Sequence, residues 1–349
     1  MNDSATASQA IAAQARLHHQ FFLGLQLAVS MQAGAEVVGD WMFRLFRRQH
    51  EVKFLASFAK LGLDGLPHAV ACARYHVLSN AMGGVAVEYM EESDTKAWVR
   101  FRYPRWMVDG PTICGVPVEA GRGFLRGWYA HNGVSLGNPR LGFVCVSEDM
   151  TGQYGLCGYF REYPTPLDES GRLVFAPDER PPRFDPAAQP APPALQWSAE
   201  RLAKANRNYA VEYIRNGIEA LVQTIGSDRA LEIAMRAARL TGLQQYSAMA
   251  GAVGAVDAGP TEAAAFLAAM FAGMGDRVSL VEVDGAVCIE QRDLRIVRDL
   301  AEAFREPLLA VWAELWRGAI HAHRQFLELS CQPLDDDGEA GLRWTIGRR

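Results

Sequence analysis

The chain has 349 residues, 49% apolar and 21% charged. This balance excludes a disordered chain, and the length exceeds that of a common single domain. Its 35 Lys+Arg against 40 Asp+Glu leave a net charge of −5, which argues against a general nucleic-acid binder, whose phosphate contacts need a basic surface. Six scattered cysteines are too few for a disulfide scaffold at this length.

Met1-Asn2-Asp3-Ser4 shows no secretory signal. The longest nearly apolar run, Ala263 to Gly275, has 13 residues, where roughly 20 are needed to cross a bilayer. The expectation is a cytoplasmic protein with reduced thiols and no membrane partner. From about Ser8 to Leu63 the chain carries helix formers, with Phe22, Leu25, Met31 and Trp41, Phe43, Leu45 at helical spacing. Strands follow at 85–89 and 96–103, around a turn at 91–95. Pro117 opens a helix expected to run to about Asn132, since proline suits a first turn. A second hairpin is read at 141–146 and 154–163.

Between Tyr163 and Trp197 lie nine of the 17 prolines. Lacking a donor and restricting the preceding residue, they admit neither a helix nor a central strand, so an extended surface linker is expected. The order then repeats. Ser198 is a good N-cap, and a helix after Gly226 is expected to end near Gly242. Strands at 278–283 and 286–290 bracket Asp284-Gly285, a hairpin signal. A helix starts at Pro307 and a last hairpin spans 326–331 and 341–346.

Individual residues match across the halves. Met82-Gly83 pairs with Met274-Gly275, Pro117 with Pro307, Trp128 with Trp316, Cys145 with Cys331 and Gly155 with Gly341, at offsets drifting from 192 to 186. The expected fold is α+β: two duplicated modules, each helices, β-hairpin, long helix, β-hairpin. The first occupies 1–163, the Pro-rich linker 164–197, and the second, degenerate module 198–349.

This layout resembles the 4-vinyl reductase domain, the amino-terminal phenol- and xylene-sensing domains of some bacterial activators, and the related L-2-amino-thiazoline-4-carboxylate hydrolases. The carrying residues are Leu61-Gly62, Pro111 to Gly115, Trp128, Cys145, Gly152, Gly155 and Cys157. Sensor-type members bind zinc through three cysteines and a glutamate. The resemblance puts Cys114, Cys145 and Cys157 at the cysteine places, and Gly142 where the glutamate stands, so the fourth ligand is in doubt. Three thiolates would suit tetrahedral zinc, with His131 or water fourth; a free cysteine is as commonly a small buried hydrophobe. Cys157 falls at Arg343 in the second half, so any such site is lost there.

Tyr103, Trp106, Trp128 and Tyr129, with Arg102, Arg105, Arg122 and Arg126, would line one cavity if the hairpin and helix pack as in that family; aromatic walls with a few polar groups suit a small molecule. His76 is placed to face it, whereas His18-His19 and His50 read as exposed. Gly133-Val-Ser135-Leu-Gly137 matches a nucleophile elbow only in letters, because Asn138-Pro139 forbids the following helix. Two readings result. One is a small-molecule binding protein for an aromatic or planar ligand, with zinc as a candidate stabiliser. The other is a hydrolase opening a C–N bond in a small heterocyclic or amide substrate, with His131 or Glu119 as general base. A homo-oligomer is compatible with either reading.

Overall fold

A computed structural model describes residues 2–103, 114–149, 155–191, 197–283, 286–324, 326–336 and 339–348. The chain is α+β, with helices and two small, mainly antiparallel sheets. Among the described residues no helix is long and apolar enough to cross a membrane. Two compact units form: Met1–Ala28 with Ala199–Arg349, and Val29–Ser198.

In the second of these, helix α1 (Asn2–Ala33) delivers only its last residues, and α2 (Ala35–Lys60) follows after Gly34. Gly34 has φ 95° and ψ 162°, a backbone that glycine adopts without a Cβ penalty, so it divides the long helical stretch expected from the sequence. Next come α3 (His68–Met82), β1 (Val87–Ser93), β2 (Lys96–Phe101) and α4 (Val118–Gly127). The expected long helix stops there. Trp128 leaves the helix into a 3-10 turn at Tyr129–His131, and α5 (Asn132–Ser135) adds one turn. Strands β3 (Leu141–Ser147), β4 (Cys157–Glu162) and β5 (Leu173–Phe175) complete a sheet of order β1-β2-β4-β3-β5.

Helices α2 and α4 cross at glycines. A Cβ on Gly127 would lie 2.7 Å from the Phe43 carbonyl oxygen, so the helix backbones meet directly at this position. The sheet has two covered faces. Phe143 and Phe160, paired across β3 and β4, lie toward Tyr129 and His76. Met90, Trp98, Val144, Cys157 and Tyr159 form a separate buried cluster, against which Ala176 packs.

The Pro-rich stretch is therefore more than a linker. Its β5 pairs in parallel with β3, Glu179 accepts a hydrogen bond from Tyr159 at 2.8 Å, and Gln189 reaches β1. The Gln189 amide acts as a rung of the ladder. Its Nε2 donates to the Tyr89 carbonyl at 2.8 Å, and its Oε1 accepts from the Tyr89 N–H at 2.9 Å. One segment thus adds a short strand beyond β3 and pairs one position of the β1 edge, which shields part of both edges from pairing with other chains.

The other unit holds α1 up to Ala28, then α6 (Ala199–Ile225), α7 (Ser227–Val253), α8 (Pro260–Met274), β6 (Arg277–Val283), β7 (Ala286–Arg292), α9 (Glu302–His323), β8 (Leu327–Asp336) and β9 (Glu339–Arg348). Its sheet runs β6-β7-β9-β8. The segment Met1–Ala28 belongs to this unit rather than to the one that follows it in sequence, because α1 packs there. Phe22 stacks on Tyr213 at 4.8 Å, and Gln14 Nε2 donates to the Met270 carbonyl at 2.6 Å. Buried Trp312, Trp316, Trp344 and Phe271 form the aromatic centre.

Two helix boundaries differ from expectation. Gly242 does not end its helix, and α7 continues to Val253, where Gly254 caps it in the left-handed region at φ 64°. Gly242 is there because a Cβ would strike the Leu315 carbonyl of α9, and Gly318 faces Arg239 in the same way. Likewise α9 begins at Glu302, with Pro307 inside it rather than at its start.

Candidate functional site

Glu119, Arg122 and Arg126 line one surface groove of about 380 Å³ in the unit of residues 29–198. Spaced three and four apart, they share a face of α4, which Gly123 and Gly127 hold against α2. Across from them α2 presents Glu36 and Asp40, and β5 contributes Leu173 and Phe175. Arg122 is held bidentately by Glu148, with Nε to Oε2 at 2.8 Å and Nη2 to Oε1 at 3.0 Å. Its guanidinium lies 5.5 Å from the centre of the Phe175 ring. Arg126 covers Phe43 at 4.9 Å and lies 3.9 Å from Asp40.

His76, Trp128, Tyr129 and His131 come together elsewhere, around the break after α4. Tyr129 stacks on His76 with ring centres 3.9 Å apart, and His76 lies parallel to Phe160 at 5.4 Å. Two residues that the sequence did not flag complete this cluster. Asn132, fully buried, bridges two imidazoles: its Oδ1 lies 3.1 Å from His50 Nε2 and its Nδ2 lies 3.0 Å from His76 Nε2. With this amide orientation His50 carries its proton on Nε2, His76 carries its own on Nδ1, and both rings are neutral.

His50 is 1% exposed, contrary to its reading as a surface residue, and His18 is likewise buried. Phe54 stacks on the His50 ring at 4.5 Å, while Trp128 and His131 meet it at steep angles, at 5.5 and 5.2 Å. Burial first, then the neighbouring His131, pulls His50 down to about 3. Burial, with Arg47 and Arg172 nearby, pulls His131 down to about 4. The signal for His50 was present in the helical stripe Phe46, His50, Phe54, Phe58, in which every member is buried. Asn132 had no such signal, because only the chain reversal after Trp128 carries it between the two histidines.

The three cysteines do not converge. Cys114 is exposed. Cys145 pairs with Gly158 whereas Cys157 pairs with Ser147, so the two thiols leave opposite faces of the sheet. Burial pushes both thiols up to about 12. Among the described residues no group of three or more His, Cys, Asp or Glu is arranged to hold a metal ion. These residues do not fit the zinc site that the resemblance implied. Tyr103 is 52% exposed, with Arg102 over its ring, and lines neither the groove nor the cluster. Trp106 and Arg105 lie outside the described residues.

The chain matches no family model, and neither a characterised protein nor a solved structure matches it.

Proposed function

We propose that the unit of residues 29–198 binds a small planar molecule in the groove between α2, α4 and β5, and that a positively charged aromatic ligand suits it best. The groove itself is the observation that carries this reading. Its volume of about 380 Å³ falls within the range of small-molecule sites, and it joins an aromatic wall to a few charged groups. Three carboxylates, Glu36, Asp40 and Glu119, stand against two guanidiniums. Glu148 already neutralises one of these, Arg122, so the balance left to a ligand is negative. Phe175, 43% exposed, offers a ring at the groove.

Tryptamine and indole-3-acetate carry the same ring with opposite charge and test the reading by calorimetry on the full chain. Tryptamine is expected to bind and indole-3-acetate not, and Glu119→Gln is expected to weaken tryptamine binding. Failure of both compounds to bind, or equal binding in Glu119→Gln, overturns it. The hydrolase reading gains no support from the geometry. Glu119 lines the groove while His131 lies in the histidine cluster.

We also infer that the two units descend from one module. Gly34 and Gly226 stand at the same offset as Met82 and Met274, and they share one backbone conformation, φ 95° and ψ 162° against φ 83° and ψ 159°. The strand orders β1-β2-β4-β3 and β6-β7-β9-β8 correspond. Cys145 pairs with Gly158 and Cys331 with Trp344, both partners recurring at the offset that relates Gly155 to Gly341. Gly127 meets the backbone at Phe43 and Arg47, as Gly318 does at Arg239 and Leu243. That register sets Trp128 against Ala319 rather than Trp316. Nothing in the second unit's four-stranded sheet corresponds to β5, so it lacks one wall of the groove. This supports a working copy and a supporting copy.

A further inference from the structure

We propose that His50 and His131 form a binding site for an imidazole-preferring divalent metal ion, Zn²⁺ or Cu²⁺, whose open positions take a small anion. The site is separate from the groove and does not depend on it.

His50 carries a buried acceptor that has nothing to accept. His50 is 1% exposed, and its Nε2 is held by Asn132 at 3.1 Å, while its Nδ1 is buried without a hydrogen-bond partner. Such a group costs stability unless something binds it. Phe54 covers one face of the ring, and His131 and Trp128 lie beside it at steep angles. His131 is half-buried, which gives the buried ring a neighbour within reach of solvent. Their ring centres are 5.2 Å apart with planes at 76°. Two imidazoles sharing one ion through bonds of about 2 Å place their centres roughly 5–6 Å apart.

The supporting shell matches the demands on a metal-bound histidine, whose second nitrogen is usually held by an oxygen. Asn132 Oδ1 does this for His50, and the Asn132 amide is itself fixed by His76. Two neutral nitrogens select a metal that takes imidazole over one that takes only oxygen. The surroundings then choose the remaining ligand. Trp128 Nε1, also buried, has no hydrogen-bond partner. Arg47, on α2, and Arg172, just before β5, bear electrostatically on His131. Glu51 and Glu169 act on Arg47 in the opposite sense, which limits the repulsion of a dication. A donor N–H and two guanidiniums favour hydroxide, carboxylate or another small anion on the ion.

The test is titration of the untagged full chain with Cu²⁺, followed by electron paramagnetic resonance, and with Zn²⁺, in competition with a chromophoric chelator. One equivalent is expected, with hyperfine structure from two nitrogens in the Cu²⁺ spectrum. His131→Ala, a change at a half-buried position, is expected to weaken binding at least tenfold, and His50→Gln to abolish it. Absence of one-equivalent binding, or undiminished binding in His131→Ala, overturns the proposal. Should His50→Gln fail to fold, His131→Ala still decides it.

Discussion

Gly318 of α9 lies so close to Arg239 of α7 that a Cβ there would fall well inside van der Waals contact distance of the Arg239 carbonyl oxygen. Backbone meets backbone at this crossing, and neither helix can yield without disturbing the Trp312–Trp316 core beneath it. Alanine favours a helix over glycine by about 1 kcal/mol, but overpacking costs about 1–3 kcal/mol or more, and the obstacle here is main chain rather than a flexible side chain. Gly318→Ala is therefore expected to destabilise the protein. A urea midpoint equal to or above that of the wild type would show that the helices separate more easily than the crossing implies.

Acid should weaken the fold in a defined window. His18, His50 and His131 are lowered from 6.5 to about 4, 3 and 4, each mainly by burial. Because the unfolded chain takes up these protons first, the stability the three contribute is full above about 6.5 and is lost as pH falls toward 4. Asp276 acts oppositely. Burial raises it from 3.8 to about 6, so its contribution is present below 3.8 and is lost as pH rises through about 6. Three groups outweigh one, and the urea midpoint should be lower at about pH 5 than at about pH 7. His50→Gln should flatten this dependence and Asp276→Asn should steepen it. A midpoint that rises on acidification would contradict the assignment.

The strap's hold on β1 should be measurable at one amide. Gln189→Ala removes two hydrogen bonds to Tyr89, worth about 1–2 kcal/mol together at a part-buried edge. Hydrogen exchange at the Tyr89 amide should accelerate while the helices retain their protection. Unchanged exchange at Tyr89 would mean that the strap's other contacts, through β5 and Glu179, hold this edge closed.

Local patterns read well wherever periodicity or a turn residue was decisive. The hairpins around 91–95 and 284–285, the helices that open each half and the repeated order follow from apolar spacing and punctuation, whereas α3 and α8 were not read from it. Glycine was the ambiguous letter. Gly34 and Gly254 break or cap helices, as expected of glycine, whereas Gly242 and Gly318 serve contacts with a distant segment and leave no local trace. His50 belonged to a readable stripe, but its charge-rich neighbours Arg47, Arg48 and Glu51 disguised it.

What the sequence determined by itself is the α+β class, the strand pairs and the recurrence of one element order, because these depend on residues a few positions apart. Tertiary structure alone decided that Met1–Ala28 joins the later unit, that the proline-rich segment covers a sheet, and that Cys145 and Cys157 face apart. It also brought Asn132 between His50 and His76, 82 and 56 residues away. The physical reason is common to all four. A burial partner or a strand's facing depends on register and packing between distant segments, and no short-range spacing encodes either.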